Sequence, residues 1–243
     1  TDNPQLVDDI VKKAKEVGVD ISNYAIGADF LKGDESEFEK EIERVKKEVD
    51  IANKLGVKRM RHDVSFKPPH EASIAQFEKD LPRLTKACQI IADYAAQYDI
   101  VTSIENHGFY VQASDRVQQL INNVDRPNFR TTLDTGNFLC VDEDPVAAVK
   151  KNIGYASMVH TKDFYFRSAS SYNPGEGWMR TTAGNYLRGA ITGHGDINLQ
   201  DVLRVVKESG YDGYISIEFE GMEECKKACK IALDNVRRIW DSI

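Results

Sequence analysis

Apolar and polar positions along the chain follow two periods that take turns. Residues 5–17 place apolar side chains at helical spacing and stop at Gly18, after which residues 21–27 read as a strand. Residues 35–55 form a second helical pattern, with Glu and Lys four apart on an exposed face and Gly56 as its end. The alternation continues through strand 57–66, a long helix over 74–98 that contains Pro82, and strand 100–105. Ser114 is placed to cap a helix reaching Asn123, residues 129–134 read as a strand, and Asp144-Pro145 opens a helix in the favoured cap-then-proline order. Strand 155–160 is followed by a long polar and aromatic stretch, 164–195, that interrupts the rhythm. Helix 198–209, strand 214–219 and helix 223–239 complete the chain.

Strands alternating with helices predict parallel β-α units, in either a doubly wound open sheet or a closed barrel. No glycine-rich phosphate fingerprint follows the early strands, which weakens the dinucleotide-binding form of the open sheet. The polar residues favour the barrel. Strand after strand ends in a carboxylate or histidine: His62-Asp63, Glu105-Asn106-His107, Asp134, His160 and Glu218. All five histidines (His62, His70, His107, His160, His194) fall at such ends or in the loops after them, where a β/α barrel builds its active site. The expected fold is a single-domain (β/α)8 TIM barrel over residues 1–243. Six strands are two short of eight, so the first two β-α units are expected to be missing from these residues. They would come from residues before Thr1 or from another segment, such as a partner subunit.

The chain of 243 residues is 41% hydrophobic and 29% charged, the proportions of a globular domain able to bury a core without disulfides. Its 32 basic and 39 acidic residues give a net charge of -7, which argues against an extended nucleic-acid surface. No apolar run approaches the ~18 residues of a membrane span, so no membrane partner is expected. The four cysteines form no pair of Cys-x-x-Cys clusters. Cys225 and Cys229 lie one helical turn apart, where ordinary helix cysteines are favoured over a zinc half-site, and a reduced, cytoplasmic protein is expected.

Glu105, Asp134, His160 and Glu218 offer three oxygen donors and one imidazole. That set suits one divalent cation, manganese first and magnesium or cobalt next, better than a thiolate-bound zinc. Three carboxylates converging alone would repel one another and raise each other's pKa, which a cation relieves. The bland alternative is four separate buried polar groups or helix caps. His107, two residues past Glu105, shares its strand face and is the best extra acid or base. His62 and Asp63 either line the site or serve a turn. Lys162 either holds a substrate oxygen or pairs with Asp163 or another neighbour, and Asp196 is a helix cap or a site residue. The stretch 164–195 begins on the face that carries His160. It is expected to cover the site, with Trp178, Tyr186, Arg188 and His194 as substrate contacts.

The motifs Ser103-Ile-Glu-Asn-His-Gly108, Leu133-Asp-Thr-Gly-Asn137, Val159-His-Thr-Lys-Asp163, Gly193-His-Gly-Asp-Ile197 and Ser216-Ile-Glu218, in this order, resemble the xylose isomerase-like barrels. This group of sugar phosphate isomerases and epimerases includes ketose 3-epimerases, inosose dehydratases and, more distantly, endonuclease IV. The resemblance covers essentially the whole chain from the family's second helix onward. It implies that Glu105, Asp134, His160 and Glu218 are the metal ligands. Many members carry histidine three residues after the metal-binding Asp, in contact with substrate or a further metal, and Asn137 stands there in this chain. The arginine that ketose epimerases place after the metal-binding histidine has only approximate counterparts in Lys162 and Arg167. The segment Gly184-Asn-Tyr-Leu-Arg-Gly189 is similar to C-glycoside deglycosidase catalytic subunits.

The resemblance implies isomerisation or epimerisation of a small sugar through an enediolate. Glu105 and Glu218 would then be both ligands and proton-transfer groups. A lyase acting on a keto-sugar or keto-glycoside, with His107 serving the leaving group, is the alternative. A noncatalytic sugar-binding subunit, in a homo-oligomer or beside a partner, and an AP endonuclease rank below both.

Overall fold

In a computed structural model, residues 3–243 are described. The elements in chain order are α1 (Pro4–Val17), β1 (Tyr24–Ile26), α2 (Glu35–Leu55), β2 (Arg59–His62), α3 (Ile74–Ala96), β3 (Val101–Glu105), α4 (Ser114–Val124) and β4 (Phe129–Asp134). They continue as α5 (Pro145–Asn152), β5 (Ala156–Thr161), β6 (Asp163–Arg167), β7 (Met179–Arg180), β8 (Tyr186–Ala190), α6 (Leu199–Glu208), β9 (Ile215–Ile217) and α7 (Cys225–Ser242). No helix among the described residues is long and apolar enough to cross a membrane.

Helix limits follow local chemistry. Asp34 caps α2 by accepting from the Glu37 amide, Asp144 caps α5 through Ala147, and Asn198 caps α6 through Asp201. Gly18 and Gly56 end α1 and α2 in the left-handed conformation that glycine tolerates. The expected cap at Ser114 is a correction. Ala113 occupies the cap position, and Ser114 is turned to Glu143, which accepts from both its amide and its hydroxyl.

Six strands form one parallel sheet in the order β1-β2-β3-β4-β5-β9. The sheet curls: Arg59 of β2 donates from Nε to the Ser157 carbonyl of β5 at 2.8 Å, three strands away. It is open between β1 and β9, and near that seam Tyr214 Oη donates to Asp20 Oδ2 at 3.1 Å. Register then sorts the side chains. Arg61 pairs with Ser103, Glu105 with Thr132, Asp134 with His160, and His160 with Ser216, so these residues share the concave face. The alternate residues face the helices. Met60, His62, Ile104 and Phe129 pack with Phe38, Val49, Phe77 and Ile91 of α2 and α3, while Leu133 and Val159 pack with Val149, Val202 and Val206 of α5 and α6.

The interrupting stretch is not an irregular loop. Residues β6, β8 and β7 make a second, antiparallel sheet in the order β6-β8-β7. Its Phe164, Phe166 and Leu187 bury against Phe109, Leu139 and Cys140, which gives the short alternating segments a face to cover. Lys162 alone separates β5 from β6. Gly189 of β8 bridges to Gly221, and a Cβ there would overlap the Glu220 carbonyl, so only glycine admits this approach to the chain after β9.

Candidate metal centre

Four strand ends deliver one donor each. Glu105 closes β3, Asp134 closes β4, His160 lies one residue before the end of β5, and Glu218 follows β9. One ligand atom from each lies within 4.8 Å of the other three. His160 Nδ1 is 3.0 Å from Glu218 Oε2 and 3.7 Å from Glu105 Oε1. Asp134 uses its two oxygens differently. Oδ1 accepts from the Gly136 and Asn137 amides at 2.8 and 2.7 Å, whereas Oδ2 is buried without any hydrogen-bond partner. A buried carboxylate oxygen with no hydrogen bond, and only the Lys162 ammonium 3.8 Å away, is costly. With the three-oxygen, one-nitrogen donor set, it fits a cluster that could hold a divalent metal.

Three cations offset the carboxylates. Arg61 forms ion pairs with Glu105 Oε2 at 2.7 Å and with Asp63 Oδ1 at 3.0 Å. Lys162 is almost wholly buried, with Nζ at 3.3 Å from Glu218, 3.4 Å from Glu220 and 3.8 Å from Asp134. His160 is the third. Burial alone would lower its pKa, but Glu105 and Glu218 outweigh this and lift it to about 10. Burial pushes the Asp134 carboxyl up to about 7 against the pull of Lys162. Glu218 and Glu105 lie below the usual carboxylate range: burial opposes this, and His160 with Lys162, or His160 with Arg61, outweighs it.

Asn137 and Lys162 join the cluster. Asn137 donates from Nδ2 to Glu105 at 3.2 Å and accepts from Lys162 through Oδ1 at 3.2 Å. Lys162 therefore turns to Asp134, Glu218 and Glu220 and not to Asp163. His107 is linked at one remove: its Nδ1 is 3.6 Å from Asp63, the partner of Arg61, and that contact raises its pKa. Beside Lys162 and Asn137 lies a cavity of about 80 Å³ walled by His107, Phe66, Phe109, Phe164 and Met179.

Other candidates are placed elsewhere. His62 is fully buried on the helix-facing side of β2, edge-on to Phe30 and near Phe129, and this burial lowers its pKa. Trp178, Tyr186 and Arg188 lie on one face of the antiparallel sheet. Arg188 is 4.7 Å from the Tyr165 ring and 5.9 Å from Trp178, while Arg180 covers Tyr186 at 3.9 Å. Phe164, Met179 and Leu187 occupy the opposite face, and Phe164 and Met179 reach the cavity. His194 is exposed, and no bond or ring contact among the described residues joins Trp178, Arg188 or His194 to the four ligands. Asp196 does not cap α6; it accepts from the Phe166 amide at 2.7 Å.

The residue that the motifs passed over is Arg61. Its signal was parity: Arg59, Arg61 and Asp63 are two apart, so if one enters the concave face the others follow. Asp163 was also under-read. Its two oxygens gather four amides, those of Phe164, Gly193, Gly195 and Ile197, at 2.8–3.3 Å. A Cβ on Gly195 would overlap Asp163 Oδ1, so the motif's glycine keeps this space clear.

The family described as "Xylose isomerase-like TIM barrel" matches residues 2–239. An inosose dehydratase of Clostridium botulinum is 23% identical over 150 residues, covering 59% of this chain and 48% of that protein. The chain thus spans less than half the length of this curated relative. A xylose isomerase-like TIM barrel protein from Mycobacterium smegmatis, solved in complex with magnesium, superposes with a TM-score of 0.73 at 16% identity, covering 98% of this chain and 79% of that one. The 3-keto-D-glucoside 4-epimerase YcjR of E. coli does so with a TM-score of 0.73 at 15% identity, covering 96% and 86%. At these identities the structural likeness is one of fold.

Proposed function

The chain belongs to the xylose isomerase-like TIM-barrel family, and from that premise we propose that it is a divalent-metal-dependent isomerase or epimerase of a small sugar or sugar derivative. The observation that carries this reading is the pair Glu105 and Glu218. They reach one imidazole from separate strand ends, at 3.7 and 3.0 Å, beside Asp134 Oδ2, which accepts no hydrogen bond. Glu105, Asp134, His160 and Glu218 would hold the cation, with manganese, magnesium or cobalt suiting the donors. Such an ion supplies Lewis acidity to a carbonyl and its neighbouring hydroxyl, which makes the carbon-bound proton between them labile.

The chain's own groups do the rest. One of Glu105 and Glu218, kept ionised by neighbouring cations, removes the carbon-bound proton, and the other must carry a proton at that step in order to return one to the opposite face. Arg61 holds the Glu105 carboxylate through an ion pair at 2.7 Å. Lys162, with three carboxylates around its ammonium group, stays charged and donates to a substrate oxygen as the enediolate forms. The cavity beside it, walled by Phe66, Phe109 and Met179, receives the remainder of the substrate.

A lyase reading has its own support in His107. It is 47% exposed at the cavity and held towards protonation by Asp63, placed as an acid for a departing group. Incubating metal-loaded protein with ketoses, inososes and keto-glycosides in D₂O tests both readings. Deuterium wash-in with the carbon skeleton intact supports epimerisation or isomerisation, and loss of a β substituent supports the lyase. No deuterium in any recovered compound, at full metal occupancy, overturns proton abstraction altogether.

A further inference from the structure

The four cysteines divide into two kinds. Cys88 and Cys140 are buried, whereas Cys225 is exposed and Cys229 half-buried, at the start of α7. Their sulfurs stand 4.0 Å apart, across one helical turn on one side of the helix. Two thiolates bound to one tetrahedral ion at the usual zinc–sulfur distance of ~2.3 Å are about 3.8 Å apart. The free pair is therefore already set at the span such an ion needs. Cys225 occupies the first position of α7, and Lys226 and Lys227 follow it on the same turn. The nearest carboxylate is committed: Glu224 accepts from the Lys226 and Lys227 amides at 3.1 and 2.7 Å. The sulfurs alone define the donor set.

We propose that Cys225 and Cys229 form a second metal site, a two-thiolate clamp for one thiophilic d¹⁰ divalent ion, zinc or its heavier congener cadmium, with water completing the coordination. The clamp is independent of the carboxylate cluster and differs from it in kind: sulfur donors reject magnesium and manganese, while the oxygen-rich cluster accepts them. Binding exchanges two thiol protons for one ion, so no oxidant enters.

The test uses the full chain, reduced and saturated with magnesium so that the cluster is filled, and titrated with cadmium. The readout is the ultraviolet thiolate-to-cadmium charge-transfer band. One ion per chain is expected, with two protons released. Cys225→Ser and Cys229→Ser should each weaken binding at least about tenfold, which is ~1.4 kcal/mol. Cys88→Ala should leave the band unchanged and controls for thiols elsewhere. Absence of the band, its survival in the double Cys225→Ser/Cys229→Ser variant, or saturation at one ion per two chains would each overturn a site built within one helix. Loss of cadmium binding on removing magnesium would overturn its independence.

Discussion

Asp163 makes a quantitative case. Its carboxylate accepts from Phe164 and Ile197 through Oδ1, at 2.9 and 3.3 Å, and from Gly193 and Gly195 through Oδ2, at 2.9 and 2.8 Å. The four donors are not equivalent. Phe164 and Ile197 are buried, at 2% and 8% exposure, whereas Gly193 is exposed and Gly195 intermediate. In Asp163→Ala, water can replace the lost acceptor only for the glycines. The other two amides remain unsatisfied at about 1–3 kcal/mol each, so the expected loss is roughly 2–6 kcal/mol. That is a large part of the about 5–15 kcal/mol that holds a typical domain together. Asp163→Asn keeps one oxygen for the buried pair and turns its NH₂ towards the glycines, where water compensates, so it should cost only about 1–2 kcal/mol. Urea unfolding of both variants, with hydrogen exchange at the Gly193 and Gly195 amides, reads the difference. Equal costs for Asn and Ala, or a loss below ~1 kcal/mol for Ala, would refute the reasoning, since burial of the donors would then not set the energy.

Further outcomes follow from the centre and its surroundings. His160 binds an ion only as the neutral imidazole, so at about pH 8 metal binding should release about one proton per ion, measurable by calorimetry in buffers of different ionisation heat. In the metal-free chain the folded His160 pKa of about 10 lies above its ordinary 6.5; the stabilisation it gives is complete below 6.5 and is lost as pH rises through about 10, so the Tm of chelated protein should fall over that interval. Arg61→Met, which frees Glu105, should lower kcat by at least about tenfold while magnesium still binds in an equilibrium titration. Met179→Ala, at the cavity, should raise KM several-fold, and Trp178→Ala, on the opposite sheet face, should leave it within about twofold.

Much of this architecture could be read from residue order because periodicity is local. The six parallel strands show in the sequence as apolar runs between helical patterns, and their polar ends single out Glu105, Asp134, His160 and Glu218. What could not be read were contacts between distant segments. Alternation sends the adjacent Arg61 and His62 to opposite faces, but only the folded sheet decides that Arg61 takes the concave face and meets Glu105 while His62 enters the layer beneath the helices. Asp163, expected as a partner of Lys162, and Asp196, expected as a helix cap or site residue, both do something else, because amides thirty residues away decide what each accepts. The antiparallel sheet was missed for a related reason. Its strands are two to five residues long, and their apolar face exists only once Phe109, Leu139 and Cys140 are beneath it.

A single residue, Lys162, joins β5 to β6, so the antiparallel sheet grows almost without a break from the strand that bears His160. Its other root is moored as well: β8 ends at Ala190, and the following turn is pinned through the Gly193 and Gly195 amides. A flap anchored at both legs cannot swing like a door. Traffic into the cavity must instead pass by local breathing of the outer bend between β6 and β7 and of neighbouring side chains such as Phe66, which is 59% exposed. Turnover limited by this breathing would respond to solvent viscosity and to shortening of the bend. It would be insensitive to stiffening near Lys162, where no pivot exists.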